Sequence, residues 1–148
     1  MANYNQAVSA SANSTTKAVY NASGTDIPAG ILVSSDDGNR KSGEGEAVKV
    51  FATGAAVTYL QGVTTTTIPA GGWGSICVLG PCVCLAKEAI ISGKMVQVAT
   101  DNGNEGKAMN VADAVAHVSQ CAGRALTPAT ASGDYFELLF LGCFATSA

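Results

Sequence analysis

Three segments of this chain share one local grammar. They are Asp26-Ile27-Pro28-Ala29-Gly30 leading into Ile31-Leu32-Val33, Thr67-Ile68-Pro69-Ala70-Gly71 leading into Gly72 to Val78, and, more loosely, Ala89-Ile90-Ile91-Ser92-Gly93 leading into Lys94 to Ala99. In each, an Ile precedes a short turn, a Gly closes it, and an alternating strand follows. Pro presets φ near the second turn position and Gly admits the positive φ that comes after it, so the chain re-enters a strand in a defined direction. Punctuation this frequent leaves no room for long helices. It predicts an all-β domain of short, mainly antiparallel strands closed into a small barrel or sandwich.

The rest of the chain follows that expectation. Ala18 to Gly24 reads as a strand and turn, and Asp36-Asp37-Gly38-Asn39 and Asp101-Asn102-Gly103-Asn104 read as hairpin turns. Ala47 to Ala52 alternates as a half-buried strand, Gly54 to Val63 gives another, Gly123-Arg124-Ala125-Leu126 reads as a strand start, Thr127 to Gly133 as a turn, and Tyr135 to Leu141 as an apolar closing strand. The stretch Thr64 to Leu85 (TTTTIPAGGWGSICVLGPCVCL) is the densest apolar segment and reads as a central strand pair interrupted at Gly80-Pro81. Ala108 to Val118 is the one segment whose apolar spacing admits a short helix. Residues 1–17, rich in Asn, Ser, Thr and Ala without periodicity, form an extended N-terminal arm, and residues 18–148 a single β domain.

Composition narrows the partners. Charged residues make up 13% of the chain, against about 25% in ordinary globular domains. So quiet a surface points to one that is covered in an assembly. A net charge of −3, with its lysines and arginines scattered, argues against nucleic acid and anionic membrane as partners. The first residues carry neither a basic nor an apolar signal region and no apolar run is long enough to span a bilayer, so the chain is expected to be made and kept inside a cell. There the five cysteines, Cys77, Cys82, Cys84, Cys121 and Cys143, are expected to be buried thiols behaving as small hydrophobes. A disulfide formed after release into an oxidising medium would involve Cys77, Cys121 or Cys143. Cys82 and Cys84 share one strand face, a spacing unlike that of a zinc hairpin.

No constellation with chemistry emerges. His117 is the only histidine, which leaves one candidate base and no second imidazole. Asp36-Asp37 and Asp101-Asn102 lack the spaced acids of a calcium loop, Glu44 and Glu46 read as solvated, and neither Gly43-Glu44-Gly45 nor Gly71-Gly72-Trp73-Gly74 leads into the helix of a phosphate-binding loop. No catalytic residue, metal or cofactor is expected. Trp73, bracketed by glycines, either folds back over the core or projects as an interface anchor.

The segment Ile90 to Gly103, followed by Gly123-Arg124-Ala125-Leu126, Gly133-Asp134 and Glu137-Leu138-Leu139-Phe140-Leu141-Gly142, resembles the capsid decoration (cement) proteins of tailed bacteriophages. The resemblance runs from about Ala18 to Gly142 and is clearest in the second half. It implies a non-enzymatic homotrimer at three-fold positions on the outer surface of the expanded head. It would be made in the host cytoplasm and hold neighbouring major capsid subunits together, with Asn3, Tyr4 and Asn5 of the arm and Trp73 as contacts. A second reading is a virion-surface carbohydrate or receptor-binding module using Tyr4, Tyr20, Tyr59 or Trp73. A third, a small hydrolase, would rest on His117 alone.

Overall fold

The structure, a computed structural model, describes residues 13–39, 46–55, 57, 59–111 and 119–146. It is built from β-strands, with one 3-10 turn at Asp37–Asn39 and no α-helix among the described residues. The strands are β1 (Thr15–Asn21), β2 (Leu32–Ser35), β3 (Glu46–Val50), β4 (Leu60–Thr64), β5 (Trp73–Leu85), β6 (Met95–Val98), β7 (Ala108–Asn110), β8 (Ser119–Ala125) and β9 (Tyr135–Thr146). The all-β architecture expected from the turn grammar is the one observed.

The first five strands close on themselves. Their order is β1-β3-β2-β4-β5, and β5 returns to pair with β1, which makes a five-stranded barrel. All pairs are antiparallel except β1 with β3. The remaining strands repeat this plan in the same order and sense. The second half of β5 pairs with β9, β9 with β8, β8 with β6 and β6 with β7, all antiparallel, and β7 returns to the end of β5 through a parallel bridge between Ala108 and Ala86. The correspondence extends to details. Ile27 bridges Ile68 in the first ring as Ile90 bridges Ala129 in the second. Thr64 N donates to Ile31 O as Ala125 N does to Lys94 O, both at 2.9 Å. The β2–β4 and β6–β8 pairings each slip register at matching places, after Val33 and after Val96.

Two packed interiors follow. Val19, Ile27, Ile31, Val33, Val48, Ile68 and Ile76 are buried together within the first ring. Phe136, Leu138, Phe140, Val96, Val98, Ile90 and three cysteines belong to a larger core that also takes in Leu32, Val63 and Leu60. Strand alternation explains the split, since Ile76 and Cys77 of one strand enter different clusters from opposite faces.

Several local expectations are corrected. Thr64 to Leu85 contains a single 13-residue strand, β5, running through Gly80-Pro81, instead of a strand pair. Gly80 adopts φ 103° and Pro81 still pairs with Leu139, so the break bends the strand without ending it. Gly123-Arg124-Ala125 ends a strand where a start was expected. Ala108–Asn110, the start of the candidate helix, is strand β7, and residues 112–118 lie outside the described residues. Among the described residues of the expected Gly54 to Val63 strand, those from Leu60 onward form one. Strand β1 takes Thr15, Thr16 and Lys17 from the expected arm.

Candidate functional site

The first candidate surface is aromatic. Tyr20 on β1 stands directly opposite Trp73 on β5, and their rings meet with centroids 5.4 Å apart and planes inclined by 51°. Trp73 keeps 43% of its surface exposed. Its neighbour Gly74 takes the inward position on the strand, so Trp73 faces out. Ile68 is fully buried beneath it, and a side chain at Gly74 would lie 2.6 Å from Ile68 Cγ1. Of the two roles expected for Trp73, the structure places it on the outside.

Asn21, the last residue of β1, fixes this platform from below. Its buried side-chain amide donates to Thr25 O at 2.9 Å and Ile68 O at 3.1 Å, while its Oδ1 accepts from Ser23 N at 2.9 Å and Ser23 Oγ at 2.6 Å. Its backbone accepts from Gly71 N and donates to Gly72 O. Asp26 Oδ1 accepts from Ala70 N at 2.9 Å and ties the two Ile-Pro-Ala-Gly turns together. The result is a preorganised aromatic pair whose chemistry is stacking and anchoring. Tyr59 is elsewhere. It is 70% exposed with φ 54°, and because β4 runs antiparallel to β5 it lies at the opposite end of the ring from Trp73.

Other exposed apolar side chains escaped the sequence reading. Leu79 and Leu141 are both exposed, and each precedes a positive-φ glycine, Gly80 and Gly142, at matching places on β5 and β9. Ile91 and Leu126 are exposed beside one another, where Ser92 Oγ donates to Leu126 O at 3.1 Å. The only signal available was the doubled Ile90-Ile91: the first enters the bridge to Ala129, and its neighbour must then face out.

The cysteines form the second cluster. Cys77, Cys82 and Cys84 are buried free thiols, Cys121 is buried as well, and the Cys143 side chain lies outside the described residues. Cys77 and Cys82 are hydrogen-bonded to each other. That bond is the main cause lowering the Cys77 thiol to about 7, opposed by burial. The same bond, then burial, pushes Cys82 up. Burial alone pushes Cys84 up to about 12.

The acidic turns are held by side-chain contacts within and beside them. Asp36 and Asp101 accept from Asn39 Nδ2 at 2.9 Å and Asn104 Nδ2 at 2.8 Å, and pair with Lys49 and Lys87 at 3.3 and 2.9 Å. Glu46, expected to be solvated, is ion-paired with Lys17 across β1 and β3. Asn3, Tyr4, Asn5, Glu44 and His117 lie outside the described residues.

Two barrels strung on one strand, with aromatic and aliphatic side chains on the outside, define the class of this protein by fold. The crystal structure of the head fiber gp8.5 N base in bacteriophage phi29 has a similar fold, with a TM-score of 0.58 at 15% sequence identity over 86% of this chain and 93% of that one. No protein family model and no curated protein sequence matches the chain.

Proposed function

We propose that this is a non-enzymatic structural protein of a phage virion that sits on the outer surface of the head and strengthens contacts between major capsid subunits. The observation that carries the reading is the fold shared along nearly the whole chain with a phage head fiber base. It is supported by Trp73, Leu79, Ile91, Leu126 and Leu141, which are exposed on a chain with 13% charged residues. Apolar groups arrayed on so uncharged a surface are groups waiting to be covered. Three copies around a three-fold axis would cover some of them, and the shell the rest.

The mechanism is mass action. A protein that binds the expanded shell and not its precursor stabilises the former by RT ln(1 + [L]/Kd) at each site, and many sites add. Trp73 acts as an anchor of the kind that dominates interface energies, and the residues preceding β1 reach a neighbouring subunit.

Sedimentation of the purified protein with heads lacking it tests the reading: the protein is expected to pellet with the heads and stay in the supernatant alone. Trp73→Ala is expected to keep the fold, losing about 0.5–1.5 kcal/mol for the Tyr20 contact, yet to weaken head binding at least about tenfold, as loss of a hot spot does. Deleting residues 1–12 is expected to abolish binding with the unfolding midpoint unchanged. Undiminished binding by both variants would count against the assigned contacts. Retention on glycans with no affinity for heads would favour an adhesion module built on Tyr20 and Trp73.

A further inference from the structure

Strand β5 changes rings at a single residue. Leu79 is the last β5 residue paired with β1, and Gly80 the first paired with β9. Gly80 has φ 103°, a region side chains avoid, and a Cβ there would lie 2.8 Å from Asn13 O and 2.9 Å from Ser14 Cα. The bend is therefore written into the sequence as a glycine.

Cys77 and Cys82 flank it. Five residues apart on an unbroken strand, they would face opposite sides with their Cα atoms roughly 16 Å apart. Instead the bend at Gly80 brings both to the same side. Cys77 Sγ lies 3.5 Å from Leu79 O and 3.8 Å from Gly80 O, and Cys82 Sγ lies 3.6 Å from Leu138 O, so both sulfurs sit against the backbone of the bend and its β9 partner. Both side chains belong to the same apolar core.

We propose that Cys77 and Cys82 are a redox pair that closes into an intramolecular disulfide, stapling the bend that joins the two barrels. The pair is divided in function. Cys77, paired with Thr16 at the start of β1, is the thiol reached first, while Cys82, set against Leu138 of β9, resolves it. Cys84, on the same strand and fully buried, is a spectator.

The oxidant is a small disulfide such as oxidised glutathione. The Cys77 thiolate attacks one of its sulfurs, forming a mixed disulfide and expelling one thiolate, which takes up the proton that Cys77 released. Cys82 then attacks Cys77 Sγ, and its proton goes to the second departing thiolate. Two S–H bonds and one S–S bond are replaced by one S–S bond in the protein and two small thiols. Access comes at the start of β1, where Thr16 pairs with Cys77 beside a register shift and both Thr15 and Thr16 are exposed, so fraying of that strand end uncovers the sulfur.

The test uses the full chain treated with oxidised glutathione, denatured, alkylated and weighed. The expected product is lighter than the reduced chain by two hydrogens before alkylation, carries three alkyl groups instead of five, and yields on fragmentation a peptide with Cys77 joined to Cys82. Cys84→Ser is expected to retain the bond, while Cys77→Ser and Cys82→Ser each abolish it. Fragmentation of the wild-type product assigns the pair even where a variant fails to fold. Five alkylated thiols after treatment, a persistent glutathione adduct on Cys77, or a bond made instead to Cys121 or Cys143 would overturn the proposal. The outcome does not depend on head binding.

Discussion

Replacing Gly123 with alanine is expected to lower the thermal unfolding midpoint by about 6–12 °C, the shift that about 3 kcal/mol produces in a domain of this size. Gly123 lies on β8 opposite Phe140. A Cβ at this position would overlap the Leu139 carbonyl oxygen, lie 2.9 Å from its carbon and stand 3.2 Å from Phe140 Cα. These are backbone atoms of a paired neighbour, so no rotamer change relieves the clash. The strands must separate, and the pairs that β8 makes with β9 and β6 go with them. Gly62 occupies the matching place in the first ring, against Cys77, and the same loss is expected there. Gly24→Ala is the control. Nothing lies within 4 Å of a Cβ there and its φ is not positive, so its midpoint is expected to hold or rise slightly. Differential scanning calorimetry of the three variants reads the difference. A Gly123→Ala protein as stable as Gly24→Ala would mean that the β8–β9 approach is not as close as described.

Asn21→Asp is expected to cost about 3–5 kcal/mol at neutral pH, the range for a buried charge left without a partner. The substitution keeps the shape and removes two donors. Where Nδ2 now donates to Thr25 O and Ile68 O, a carboxylate oxygen would face those two carbonyl oxygens, with only the Ser23 bonds on the other side to favour it. Burial and the carbonyl dipoles both oppose ionisation, so the folded-state pKa of the introduced carboxyl lies above its unfolded value. The sign follows. The deficit is full above that raised pKa and shrinks as the pH falls through it toward about 4, where the unfolded carboxyl also takes up its proton. Urea unfolding of wild type and variant at neutral pH and near pH 4.5 measures both values. An equal deficit at the two pH values would locate the cost in packing rather than charge.

The sequence conveyed the turns better than it conveyed the strands between them. Ile27, Ile68 and Ile90 before their glycine-closed turns announce where strands begin, because turn chemistry is local. A fourth member, Ala129 before Gly133, reads only as a turn. It pairs with Ile90 as Ile68 pairs with Ile27, and the duplication becomes visible once the pairings are known. Local reasoning failed where a residue answers to a distant one. Gly123 looks like punctuation but is small because a carbonyl from β9 passes over it. Gly80-Pro81 looks like a strand break but is a bend that both rings require. Thr15-Thr16-Lys17 looks like arm because a strand that leaves these side chains on the surface shows no hydrophobic alternation. The candidate surface was legible in Trp73 and its glycines. Tyr20 stood among the candidate aromatics, but its pairing with Trp73 was not legible, since register between β1 and β5 is set by pairing far along the chain.

A duplicated architecture invites the idea of two domains, and β5 argues otherwise. Its 13 residues provide one wall of each ring, 73–79 in the first and 80–85 in the second, so a single continuous strand carries both. Val63 and Leu32 of the first ring also reach into the core that holds Phe136 and Phe140 of the second. The two halves should therefore melt as a single cooperative unit, with calorimetric and van't Hoff enthalpies in agreement. A local injury in either barrel, at Gly62 or at Gly123, becomes an injury to the whole chain.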